Sequence, residues 1–167
     1  MLDIAFINAR IVDGTGTPWQ RGCVGVHDGR IVQVGSNGDL PEAANVIDVN
    51  DHVLCPGFID SHSDLSVLEN PESSAKIMQG VTTENVGLDS LSVAPISDRN
   101  KEQWQISLSG LDGILNRAWD WNSFSSYLDR VDAAMPSVNI SSYVGLGTVR
   151  LDVMGMENRP PTAAELR

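Results

Sequence analysis

Basic residues, cysteines and long apolar runs are all scarce in this chain, and each scarcity closes off a class of function. Eleven Lys and Arg face 22 Asp and Glu, a net charge of −11 with a sequence pI of about 4.4. Such a surface repels phosphate backbones and anionic bilayers, which argues against nucleic acid and membrane partners. Cys23 and Cys55 are too few and too far apart for a disulfide framework, so a reducing cytoplasm is the expected compartment. No apolar run approaches the roughly 20 residues that cross a bilayer. Met1-Leu2-Asp3-Ile4 opens without a basic segment followed by an apolar one, so a secretory leader is not expected. Hydrophobic residues still make up 41% of the 167, enough for a core in one ordinary domain or a small domain plus part of another.

From Asp3 to Leu54 the pattern is short strands divided by turn dipeptides. Cys23-Val24-Gly25-Val26-His27 meets Arg30-Ile31-Val32-Gln33-Val34 across Asp28-Gly29, a strong hairpin signal, because a type I′ turn needs positive φ at both central residues. Asn37-Gly38 and Asn50-Asp51 mark further turns, and an antiparallel β-rich unit is expected over 1–54. His27 and His52 read as surface or edge-strand histidines. So small a sheet buries too little to stand alone and calls for a partner.

After Leu54 the rhythm becomes strand, helix, strand. The residues Leu54 to Ser61 read as a strand and Pro71 to Gln79 as a helix capped by Asn70 and stopped by Gly80. Val81 to Gly87 reads as a second strand and Val138 to Val144 as a third, with Gly145-Leu146-Gly147-Thr148 as a turn. The stretch from Arg99 to Leu115 is ambiguous with a helical leaning. Trp121, Phe124, Leu128 and Val131 fall on one helical face, a stripe that suits core packing. Thr162 and Glu165 have the spacing of a capping box that opens a helix. Strand-helix alternation predicts a right-handed parallel α/β unit with function at the strand carboxyl ends. Three strands do not close a barrel, so the chain reads as the front part of a longer protein.

Chemistry concentrates at Pro56-Gly57-Phe58-Ile59-Asp60-Ser61-His62-Ser63-Asp64. If the strand persists, Asp60, His62 and Asp64 share a face at intervals of about 7 Å, and imidazole with carboxylates at a parallel strand end permits a metal. A hydrogen-bonded turn is the plainer reading of the same residues. Arg150, after the third strand, suits a bidentate grip on a substrate carboxylate or an ordinary surface salt bridge.

Several runs together resemble the amidohydrolase superfamily and its N-acyl-D-amino-acid deacylase (D-aminoacylase) branch. They are Ile11-Val12-Asp13-Gly14-Thr15-Gly16, Asp28-Gly29-Arg30-Ile31-Val32, Pro56-Gly57-Phe58-Ile59-Asp60, Gln79-Gly80-Val81-Thr82-Thr83, Leu91-Ser92-Val93-Ala94-Pro95, Trp119-Asp120-Trp121 and Gly145-Leu146-Gly147-Thr148-Val149-Arg150. The resemblance implies a composite β-sandwich segment over 1–54, followed over 55–167 by the first strands and helices of a metal-dependent (β/α)8 TIM barrel. It implies one or two zinc ions and a small N-acyl amino acid substrate. The family pattern Asp-x-His-x-His is altered here. Either His62 matches the first histidine with Asp64 in place of the second, or His62 matches the second with two residues deleted upstream. Asp89 stands where the branch commonly has a metal-binding cysteine, and Leu146 where relatives have a histidine. The general base, an aspartate, and two further histidine ligands are expected beyond Arg167. A cyclic-amide hydrolase of the dihydroorotase or hydantoinase type and a diverged, non-catalytic barrel are the alternatives.

Overall fold

The computed structural model describes residues 1–63, 66–112 and 118–167, and they form two compact units, Met1–Pro56 and Gly57–Arg167. The first is a five-stranded sheet. Strand β1 (Leu2–Ile11) lies between β2 (Gln20–His27) and β4 (Ala43–Asp48), β3 (Arg30–Gly35) flanks β2, and β5 (Val53–Leu54) extends the pairing with β1. Asp28 and Gly29 take φ of 50° and 69°, and His27 pairs with Arg30, so the hairpin has the turn its dipeptide demands.

The unit is mixed, where the turn pattern predicts an antiparallel meander. β1, β2 and β3 are antiparallel neighbours, but β4 and β5 run parallel to β1. Asn37-Gly38 does not close a second hairpin; the chain passes from the edge at β3 to the far side of β1. Asn50-Asp51, expected as a turn between strands, is a jog in nearly continuous pairing. The amides of Val49 and Asp51 donate to Ile7 and Asn8, and beyond the jog Arg10 and Val12 donate to His52 and Leu54. Asn8, Asn50 and Asp51 all sit at positive φ, which Asn and Asp tolerate better than most residues.

The second unit holds a parallel sheet ordered β6 (Phe58–Asp60), β7 (Val81–Val86), β8 (Asn139–Ser142), with Asp60 beside Glu84 and Val86 beside Ser142. The expected strand from Leu54 to Ser61 is two pieces in different sheets, so the chain is already bending at Ser61. Helix α1 covers only Ser74–Ile77. Ser73, at φ 44°, precedes it, and the Asn70 carbonyl accepts from the Ser73 amide in a turn that displaces the expected cap. Helix α2 (Asp98–Asp112) makes the ambiguous stretch helical as far as Asp112, and its last residues, 113–115, lie outside the described residues. Helix α3 (Phe124–Ala134) starts at Ser123, whose hydroxyl accepts from the Ser126 amide while the Ser126 hydroxyl accepts from the Ser123 amide. Helix α4 (Leu146–Met154) begins where a turn was expected. At the C-terminus both capping-box bonds form, Thr162 amide to Glu165 Oε2 at 2.7 Å and Glu165 amide to Thr162 Oγ1 at 3.3 Å, around a turn without a helix.

The interior of this unit is aromatic. Trp121 and Val131 are buried, with Phe124 and Leu128 packed against the same cluster, so the predicted stripe does face the core. Trp119 stacks on Trp121 at 5.3 Å, and Trp121 meets Tyr127 at 5.4 Å. The indole N–H groups of Trp104 and Trp121 donate to the Ser92 and Val93 carbonyls at 2.7 and 2.9 Å. The core thereby grips the loop that follows β7. Among the described residues no helix is long and apolar enough to cross a membrane.

Candidate metal centre

The carboxyl ends of β6 and β7 meet in one imidazole-carboxylate contact, His62 Nε2 to Asp89 Oδ2 at 2.9 Å, with side chains 66% and 70% exposed. Two donors placed tetrahedrally on a zinc-class ion at about 2.0–2.2 Å stand about 3.3–3.6 Å apart, so the pair suits such an ion in kind and would open by about half an ångström to admit it. It supplies two of the three or four donors the ion takes.

Strand parity does not bring His62 there. β6 ends at Asp60, and the alternation that would line up Asp60, His62 and Asp64 stops with it. Asp60 turns back on the bend: Oδ1 accepts the His62 amide at 3.2 Å and Oδ2 accepts the Lys76 ammonium at 2.5 Å. The ammonium, then the His62 amide, hold the Asp60 carboxyl below the usual carboxylate range. Asp60 is thus engaged by a lysine, and Asp64 lies outside the described residues.

Asp89 owes its place to the start of α4. Asp89 and Ser90 have φ of 52° and 67°, and the Ser90 carbonyl accepts the Thr148 amide at 3.1 Å. Thr148 Oγ1 accepts the Ser92 amide and donates to the Ser92 carbonyl. A Cβ on residue 145 would lie 2.5 Å from the Ser90 oxygen, so the approach that fixes this loop requires Gly145. Leu146, where the resemblance implies a histidine, opens α4 and is exposed. Arg150 donates from one guanidinium nitrogen to the Glu157 and Arg159 carbonyls at 2.7 and 3.2 Å, clasping the segment after α4.

Sequence reasoning missed Lys76, Glu84 and Ser63, which surround Asp60. Ser63 Oγ donates to Glu84 Oε2 and accepts from Lys76 Nζ at 2.8 Å; Glu84 is 3% exposed. The available signal was a glutamate in the middle of the β-rich run Val81-Thr82-Thr83-Glu84. Among the described residues one set of three donors is close enough for an ion, Asp3, His27 and Asp28 at the hairpin of the first unit, all exposed. His27 was expected at the surface and lies there, with Asp3 on its Nδ1 side at 3.4 Å and Asp28 on its Nε2 side at 3.7 Å.

No family model matches the chain. Among curated proteins it is 34% identical over 168 residues to the D-aminoacylase of Alcaligenes xylosoxydans xylosoxydans, covering 98% of this chain and 33% of the relative. It is 35% identical over 165 residues to the N-acyl-D-aspartate deacylase of the same organism, covering 98% and 32%. Among solved structures it superimposes with a TM-score of 0.84 and 34% identity on the N-acyl-D-glutamate deacylase of Bordetella bronchiseptica, over 98% of this chain and 34% of that one. That crystal structure holds zinc and a phosphonate inhibitor mimicking the tetrahedral intermediate of the reaction. The chain spans about one third of the length of the curated relatives it matches.

Proposed function

This chain belongs to the D-aminoacylase family of amidohydrolases, and on that premise we propose that its protein is a metal-dependent hydrolase of linear amides, converting an N-acyl-D-amino acid and water to a D-amino acid and a carboxylate. The observation that carries the reading is the meeting of His62 and Asp89 at the carboxyl ends of adjacent parallel strands. In this reading β6, β7 and β8 are the first strands of a (β/α)8 barrel, and the sheet of residues 1–54 is one part of a small sandwich. The remaining ligands and the general base come from the portion of the relatives' length that the chain does not span.

His62 and Asp89 would hold the ion as a nitrogen and an oxygen donor. When bound, zinc polarises the scissile carbonyl and lowers the pKa of the attacking water. Asp89 in place of a thiolate shifts preference towards harder ions. The loop from Asp89 to Val93, tied to Thr148 and gripped by two indoles, keeps the carboxylate at a fixed distance from the β6 end. A diverged protein that binds metal without turnover is the second reading, favoured by Leu146, which offers no polar group at the mouth of β8.

The test is His62→Ala and Asp89→Ala in the complete protein, with zinc content and hydrolysis of N-acyl-D-amino acids as readouts. Each change is expected to lower metal affinity by at least the roughly 10- to 100-fold that loss of a ligand's supporting partner costs, and to remove hydrolysis. Zinc bound without turnover in the unaltered protein selects the second reading. Zinc content and rate indifferent to His62→Ala overturn both.

A further inference from the structure

We propose that Lys76 and Glu84 are positioning residues that clamp the bend at residues 61–63 and so aim His62 at Asp89. The inference rests on reading His62 as a metal donor. His62 is largely exposed, so apart from its contact with Asp89 the place of its ring is set by the backbone that carries it. That backbone is pinned on both sides. Before His62, Asp60 accepts the His62 amide on one oxygen and the Lys76 ammonium on the other. After it, Ser63 is buried, its amide donates to the Asn85 carbonyl at 2.9 Å, and its hydroxyl bridges Lys76 and Glu84. One ammonium thus joins Asp60, two residues before His62, to Ser63, the residue after it.

Glu84 explains why the ammonium is there. It lies on β7 beside Asp60 on β6, with its side chain almost wholly buried, and Lys76 Nζ stands 3.9 Å from Oε2. Two neighbouring carboxylates, one of them deep, require a counter-charge, because an unpaired buried carboxylate is strongly destabilising. Lys76 supplies it from α1, a helix of four residues, so the ion cluster also anchors that short helix at the strand ends.

A clamp and a merely structural ion cluster predict different outcomes when both charges are removed. Lys76→Met and Glu84→Gln, made in the complete protein, are each expected to weaken zinc binding by roughly 10- to 100-fold, the scale on which residues that orient a ligand act. Lys76→Arg should restore part of that loss. In the double variant Lys76→Met with Glu84→Leu the deeply buried carboxylate is removed together with its counter-charge, so most of the lost thermal stability should recover. Zinc affinity should stay low, because Asp60 and Ser63 have still lost the ammonium. Recovery of both overturns the proposal. Hydrogen exchange of the His62 amide in metal-free protein reads the clamp without zinc: Lys76→Met should speed it, and an unchanged rate also overturns the proposal. Should His62→Ala leave zinc binding intact, the functional reading fails, and amide exchange still decides whether Lys76 holds the bend.

Discussion

In the unit of residues 1–56 the buried apolar side chains are Leu2, Ala5, Ala9, Cys23 and Val24, while Ile31, Val32, Val34, Val46, Ile47 and Val53 stay exposed on its strands. In the unit of residues 57–167 three tryptophans and a tyrosine are buried together with Val86, Ile96, Leu108 and Leu151. The first unit is held by ladders and turns, each hydrogen bond worth about 1 kcal/mol net. The second is held by aromatic packing, where one side chain is worth several times that. Identical kinds of substitution should therefore have very different consequences in the two.

The largest effect is expected at Trp121. It is 3% exposed, stacks on Trp119, meets Tyr127 and donates to the Val93 carbonyl. Trp121→Ala should cost about 3–5 kcal/mol in denaturant unfolding, from the lost contacts and the cavity left behind. The loop from Asp89 to Ile96 should loosen with it. A loss below about 1 kcal/mol would place the unit's stability somewhere other than its aromatic core.

The same contrast separates what could be read in advance from what could not. Asp28-Gly29, the strand at Val81, the Trp121 to Val131 stripe and the Thr162–Glu165 box are local devices, spelled out within a few residues. The parallel placement of β4 was not legible, because which strand it joins depends on a partner some forty residues away, Leu2 against Ala43. Gly145 and Gly147 read as a turn, yet they are glycines because the Ser90 carbonyl lies against them at the start of α4. At the site, residue types pointed to His62 and the resemblance to Asp89, but their meeting depends on a bend, and the shared face that strand parity assigned to Asp60 and His62 stops where β6 ends. Lys76 and Glu84 gave only the weak signal of charges in an otherwise β-rich and short helical context. Tyr127 was passed over for its neighbours Phe124 and Leu128, although it is the more deeply buried.

Tyr127 gives the intermediate effect, and its sign is a gain. Its hydroxyl is buried and has no hydrogen-bond partner among the described residues. Leaving such a group unsatisfied costs about 1–3 kcal/mol, so Tyr127→Phe should stabilise the protein by about 1 kcal/mol at neutral pH. Burial also pushes the phenol up from 10.0 to about 12. The folded state disfavours the phenolate, so this contribution is fully present below pH 10 and lost as pH rises towards 12. Melting curves across that window should show the tyrosine protein losing stability that the phenylalanine variant keeps. A variant that melts lower at neutral pH would mean the hydroxyl has a partner and the core is less dry than its packing indicates.

The smallest effect is expected on the open sheet of the first unit. Ile31 lies on β3 opposite Val26 and is 66% exposed. Ile31→Thr keeps the β-branch that suits a strand and exchanges the ethyl arm for a hydroxyl on a side chain that water already reaches. The backbone bonds of the ladder do not involve the side chain, and the Asp28-Gly29 turn sets the register independently. The change in unfolding free energy should therefore stay within about 0.5 kcal/mol, the usual range for surface substitutions. Chemical denaturation of the two proteins side by side measures it. A cost near 2 kcal/mol, the scale for a buried aliphatic side chain, would show that Ile31 is covered in solution. The first unit would then be packed like the second, and its apolar strand face would be an interface already filled.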